Sequence, residues 1–296
     1  MTARPDGRPS GALAPTVEHH RLDEVLPAAP LRPPDHVLTA FNAPSADLER
    51  LQGRRQCAWR AGNTVIEPVD HPVEASWLAT VFEQRPVPGV RIARPIRSTD
   101  GRWVVSGWTA HRFVSGAPAP RFDEARRAGQ AVHEAVADVS EPRFLRERSD
   151  LRSWADRLAW GEVLDTEGRL GQGHGATVYR ELAASRRPVA TPNQIVHGEL
   201  FGNVLFAGTA DPAVVDLTAY WRPVGWAIGV LAVDAVARGE APIELLGDWS
   251  DGPDWPQLVR RAMLFRLAVS LAHPRTSANE LVVMLSTAER VDRFLR

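Results

Sequence analysis

One short polar stretch concentrates the residue types that bind cations and move protons. In Gln194-Ile195-Val196-His197-Gly198-Glu199-Leu200-Phe201-Gly202-Asn203-Val204-Leu205-Phe206, two β-branched and apolar runs flank a loop holding His197, Glu199 and Asn203. A turn over residues 207–212 leads into a third run, Ala213-Val214-Val215-Asp216-Leu217. Read as strand, polar loop, hairpin and acid, the stretch sets an amide oxygen and two carboxylates near one another. Hard divalent cations such as Mg2+ take oxygen donors of this kind and commonly share the ion with substrate phosphates. The chemistry predicted is phosphoryl transfer. For His197 alone, a buried hairpin with an incidental polar loop is the plainer reading.

Taken together, His197-Gly198-Glu199-Leu200, Asn203 and Asp216 resemble the catalytic loop and metal-binding acid of the aminoglycoside phosphotransferase and choline kinase group. In that group the loop reads His-Gly-Asp-Leu, then Asn, and a second Asp follows in a segment similar to Val214-Val215-Asp216-Leu217. The chain departs from the pattern twice: Asn203 falls six positions after His197, one short of the commonest spacing, and Glu199 stands where the catalytic Asp would be. The resemblance implies an α+β, two-lobed protein-kinase-like fold, with a small antiparallel-sheet N-lobe and a mainly helical C-lobe. It implies ATP and Mg2+ as cofactors and a small-molecule acceptor. By the same resemblance Glu199 orients or deprotonates the acceptor hydroxyl, Asn203 and Asp216 hold the metal, and His197 supports the loop. Glutamate is one methylene longer than aspartate, so a shortened loop offsets the longer acid.

Composition bounds the alternatives. The chain has 296 residues, 44% hydrophobic and 24% charged, ordinary values for one large domain or two lobes. A net charge of −1 gives no whole-chain footprint for nucleic acid. The single cysteine, Cys57, excludes an internal disulfide and a cysteine-cluster metal site. No run has the length of a membrane span and no signal-peptide pattern opens the chain, so the expected location is cytoplasmic, without nucleic-acid or membrane partners. All 35 basic residues are arginine, which removes every side-chain ammonium.

The elements that must position the loop follow in chain order. Residues 1–34, rich in Pro, Ala, Gly and Arg, read as a flexible arm, with His19-His20 too weak a cluster for a metal. Residues 35–114 read as the β-rich lobe and 115–296 as the helical lobe. Asp35 would cap a short helix, and a hairpin turning at Gly62-Asn63 would follow. The resemblance places a nucleotide-covering loop at Gly53-Arg54-Arg55-Gln56 and the phosphate-binding lysine of the next strand at Glu67. At about 4 Å and an effective dielectric near 20, a carboxylate there turns roughly 4 kcal/mol of attraction to phosphate into a similar repulsion. Arg54, Arg55 or Arg60 could supply the charge from another direction, and Glu67 could equally be an exposed strand residue without a role.

An amphipathic helix after Pro72 would carry Glu74, which in the family pairs with the lysine and here has no such partner. Residues 90–96 and 103–108 read as two antiparallel strands turning at Asp100-Gly101. The segment from Thr109 through Phe113 to Gly116 would be the hinge, where the family holds adenine. Helices are expected over 122–139, 151–164, 176–184, 224–237, 255–271 and 279–295, with the glycine-rich run 168–175 as an interhelical loop. Tyr220, Trp221, Trp226, Asp234, Trp249 and Trp255 are candidates for an acceptor pocket, though core filling is the more ordinary role of such aromatics. The competing reading is a catalytically silent nucleotide- or ligand-binding protein on a kinase scaffold, suggested by Glu67, the thinned glycine loop and the absence of lysine.

Overall fold

The computed structural model describes residues 32–44, 48–51 and 58–296. Most of the arm expected over 1–34, including His19-His20, lies outside the described residues, as do Gly53-Arg54-Arg55-Gln56 and Cys57.

The α+β two-lobed architecture expected from the sequence is present: a mainly antiparallel sheet with two helices, then a helical region. The first elements among the described residues are α1 (Asp35–Ala40), β1 (Leu48–Arg50), β2 (Trp59–Ala61), β3 (Thr64–Pro68) and α2 (Pro72–Phe82). Four short strands follow: β4 (Arg91–Ile92), β5 (Pro95–Ile96), β6 (Val104–Val105) and β7 (Trp108–Arg112). The sheet runs β1-β2-β3-β7-β5, with β6 also on β7. Gly62, at φ 60°, makes the expected reversal between β2 and β3, a backbone state that costs glycine nothing. Val37 and Leu38 of α1, and Phe41 just past its end, bury against Ile66, Trp108 and Ala110 on the sheet.

Several local expectations change. Pro34, not Asp35, occupies the N-cap of α1, and Asp35 is the first helical residue, its charge beside the amide end of the helix. The strand pair expected over 90–96 and 103–108 breaks into four pieces. The tight hairpin reversal lies at Ser106-Gly107, both at positive φ, while Asp100-Gly101 sits in a loop closed between Ser98 and Arg102. Residues Thr109 to Arg112, expected in the hinge, form the sheet-centred β7, so the connecting segment begins only after Arg112.

The helical region comprises α3 (Phe122–Ala135), α4 (Phe144–Glu147), α5 (Leu151–Trp160) and α6 (His174–Ala184), then β8 (Gln194–His197), β9 (Val204–Leu205), β10 (Ala213–Val214) and β11 (Ala219–Arg222). It closes with α7 (Val224–Arg238), α8 (Leu245–Asp248), α9 (Trp255–Ala272) and α10 (Ala278–Phe294). Asp150 caps α5 through the Ser153 amide, and Gly161 at φ 77° ends it, short of the expected Leu164. α3 likewise stops at Ala135 rather than Val139. The core lies between α7 and α9, where Trp226, Tyr220 and Phe265 meet with ring centroids 5.2–5.8 Å apart. Each such buried aliphatic or aromatic side chain contributes about 1.5–3 kcal/mol.

Two strand pairings position the polar loop. β8 pairs antiparallel with β11, setting His197 opposite Ala219. β9 and β10 form the hairpin expected after Asn203, and β10 also pairs in parallel with β4, joining the helical region to the first one.

Candidate active site

The loop from Gly198 to Asn203 is seated by close packing. A Cβ on Gly198 would fall 2.5 Å from the Tyr220 ring, so no larger residue fits between β8 and that ring. Leu200 is fully buried and presses on Gly129 of α3, where a Cβ would collide with its Cδ1. His197, at the end of β8, is buried, and its Nδ1 accepts the Thr218 amide at 3.2 Å. Its own amide donates to His133 Nε2 at 3.0 Å. His133 sits inside α3, and burial, with the neighbouring His197, pulls its pKa down to about 3, so the ring is neutral and free to accept. His197 thus joins α3 to the segment just after Asp216.

Asn203 and Asp216 are brought to adjoining segments. The Asn203 carbonyl accepts the Val215 amide at 3.0 Å, one residue before Asp216. The Asn203 side chain is 3% exposed, and its Nδ2 donates to the Glu199 carbonyl at 2.8 Å, which fixes the amide's orientation. Its Oδ1 is buried without a hydrogen-bond partner among the described residues. A buried amide oxygen left without a donor costs about 1–3 kcal/mol, and a cation would satisfy it. Asp216 is a half-buried non-glycine residue at φ 50°, a strained backbone state, and it borders the interlobe cleft. Among the described residues no cluster of three or more His, Cys, Asp or Glu side chains could hold a metal by itself, so the donors here are one amide and one carboxylate. That set suits a hard cation completing its shell with phosphate oxygens and water.

Glu199 is 8% exposed and meets Arg152 of α5, whose Nε lies 2.7 Å from Glu199 Oε1. Arg152 is buried as well, so the two charges neutralise each other away from water. Nearby, burial and the Glu199 charge raise the pKa of the Tyr220 phenol.

The cleft has a volume of about 220 Å³ and lies between α2, β3, β7 and the Val214–Thr218 segment. Glu67 and Thr109, paired across β3 and β7, both border it, and Glu67 Oε1 lies 3.5 Å from His111 Nδ1. Glu74 also borders it, but the expectation that it lacks a cationic partner is wrong. Arg148, just past α4, reaches both Glu74 carboxylate oxygens with Nη1 at 3.1 Å. The cation arrives from just past α4, 74 positions along the chain, a source that the strand position of Glu67 could not reveal. Burial opposes the Arg148 charge, but Glu74, Tyr220 and Asp150 more than compensate and hold its pKa above the usual guanidinium range. Asp150, against its own burial, is brought down to about 2 by Arg148 and Ser153.

Other expected residues lie elsewhere. Arg60 bonds the Gly62 carbonyl at 2.8 Å and stacks 3.8 Å over the Phe113 ring, and neither residue borders the cleft. The cation–π contact and the turn hold Arg60 at the sheet's own edge. Tyr220, Trp226, Trp249 and Trp255 are buried core residues, and Asp234 is buried against Arg266 at 2.5 Å. Three residues with a place at this site went unread in the sequence: His133, Arg148 and Arg152. A histidine on the otherwise apolar buried face of α3 was the one available sign.

No family model and no curated protein matches the sequence. The fold, however, has many solved counterparts. An amicoumacin kinase in complex with AMP-PNP, Ca2+ and Ami superposes with a TM-score of 0.58 at 12% identity, covering 88% of this chain and 92% of that one. A spectinomycin phosphotransferase in complex with ADP and spectinomycin gives 0.56 at 11% identity, over 83% and 93%. A choline/ethanolamine kinase family protein from Mesorhizobium loti gives 0.52 at 17% identity, over 88% and 90%. The chain therefore has the kinase-like fold of small-molecule phosphotransferases.

Proposed function

We propose that the chain is an ATP- and Mg2+-dependent phosphotransferase acting on a small hydroxylated molecule. The observation that carries this reading is Asn203 Oδ1, buried and without a donor, on a segment hydrogen-bonded to the one that bears Asp216. Asn203 and Asp216 would hold the cation, which supplies charge neutralisation for the phosphate oxygens. Glu199 would orient the acceptor hydroxyl and accept its proton, with Arg152 fixing the carboxylate's position. His197, braced by His133 and Thr218, would keep the loop in register with the Asp216 segment. The architecture shared with small-molecule kinases supports the assignment.

A second reading has its own support. Arg152 at 2.7 Å occupies a Glu199 carboxylate oxygen that an acceptor hydroxyl would need, and Glu67 sets a carboxylate in the cleft, which favours a scaffold that binds without turning over. Incubation with ATP, Mg2+ and a panel of hydroxylated amines, read as acceptor-dependent ADP release, separates the two. Release that disappears in Glu199→Ala supports the phosphotransferase. ATP binding with no release above buffer across the panel supports the silent scaffold.

A further inference from the structure

Among the described residues bordering the cleft, Glu67, Asp70, Glu74, Asp150 and Asp216 are acidic, and Arg148 is the one guanidinium. Its hydrogen bonds are distributed unevenly. Nη1 serves Glu74 and the Ala219 carbonyl, the latter at 3.2 Å, and Nε serves Asp150 and Ser153 at 3.0 and 2.8 Å. The remaining nitrogen, Nη2, takes no hydrogen bond with the described residues. The Glu74 carboxylate in turn accepts the Ala219 amide at 3.2 Å. Glu74 and Arg148 therefore grip both polar groups of a peptide unit's residue only three positions beyond Asp216.

We propose that Arg148 is the phosphate-side cation of this cleft: a guanidinium delivered from the helical region, fixed by Glu74, that meets the nucleotide's phosphates. The inference rests on the phosphotransferase reading and deepens it. Three physical points carry it. An anionic ligand entering a cleft lined by five carboxylates needs a fixed positive charge beside any divalent ion, and Arg148 is the guanidinium in place. Its Nε and Nη1 are committed to acids that hold the plane still, leaving Nη2 as a preorganised donor suited to a phosphate oxygen. Its tie to Ala219 links that donor to the segment carrying Asp216, so phosphate and cation are read by one rigid unit.

The test compares binding of ATP and of adenosine, each with Mg2+, by titration calorimetry. Arg148→Met should weaken ATP at least about tenfold and leave adenosine within about twofold, since only the phosphates meet the guanidinium. Adding Glu67→Lys to that variant returns a cation opposite Glu74 and should recover most of the ATP affinity. Because Arg148→Met strands a buried carboxylate, Glu74→Gln/Arg148→Gln, which exchanges the ion pair for two neutral amides, provides a second folded background with the same expected loss. ATP affinity unchanged in that double variant, or ATP and adenosine weakened alike, overturns the proposal and identifies Arg148 as a strut between α2 and β11. A wild-type protein that binds neither ligand overturns the phosphotransferase reading itself, and this inference with it.

Discussion

Arg152 Nε stands 2.7 Å from Glu199 Oε1, with both side chains buried. Removing one member of such a pair leaves the other charge with poorer compensation away from water. Glu199→Ala is therefore expected to abolish turnover and to cost about 3 kcal/mol, the lower end for a broken buried ion pair. Glu199→Asp withdraws the carboxylate by one methylene and should lower turnover with a smaller stability loss. Chemical denaturation beside an ADP-release assay reads both.

The Glu74–Arg148 contact predicts a stability effect of its own, read apart from nucleotide binding. Glu74→Ala removes two contacts to Arg148 at 3.1 Å and the acceptor for the Ala219 amide. The expected loss is about 3–5 kcal/mol, because a buried guanidinium loses its main counter-charge. A denaturation midpoint unchanged from wild type would show that α2 is not fastened to β11 through this pair.

His133 predicts an acid-sensitive fold. Its folded pKa, pulled down by burial to about 3, lies below the unfolded value near 6.5, so between those values the unfolded chain binds the extra proton. Stability from this group is complete above about pH 6.5 and falls by roughly 1.4 kcal/mol per unit as pH drops towards 3. Asp150, lowered to about 2, adds a further loss below about pH 4. Unfolding free energies measured from pH 7 to 4 should show the first slope in wild type and a flatter line in His133→Gln.

Gly198 predicts a packing failure. With a Cβ 2.5 Å from the Tyr220 ring, Gly198→Ala must displace either β8 or the ring, at a cost of about 1–3 kcal/mol. A thermal melt compared with Ala substituted at Gly173, where φ is −80° and a Cβ meets nothing within 4 Å, separates crowding from the general cost of losing glycine.

Much of this architecture was legible because it is local. The run from Gln194 to Leu217 carries its own strand, loop and hairpin pattern, and the Gly62 turn and the later helices follow from spacing over a few residues. What was missed is long-range. Arg148 meets Glu74 across 74 positions, and His133 meets His197 across 64. In a chain with 35 arginines, one more on a helix reads as a solvated face until tertiary structure turns it inward. The strand pair over 90–108 failed for a related reason: β4 finds its partner in β10, far along the chain, instead of beside its neighbour.

The central claim is that Asn203 and Asp216 hold a divalent cation together with the nucleotide. It is tested most directly by calorimetric titration of ATP into wild type and Asp216→Ala, each with Mg2+ and with EDTA. The account predicts Mg2+-dependent binding in wild type and a loss of at least about tenfold, some 1.4 kcal/mol, in Asp216→Ala. ATP affinity that is the same in both proteins, or indifferent to Mg2+ in wild type, would contradict it.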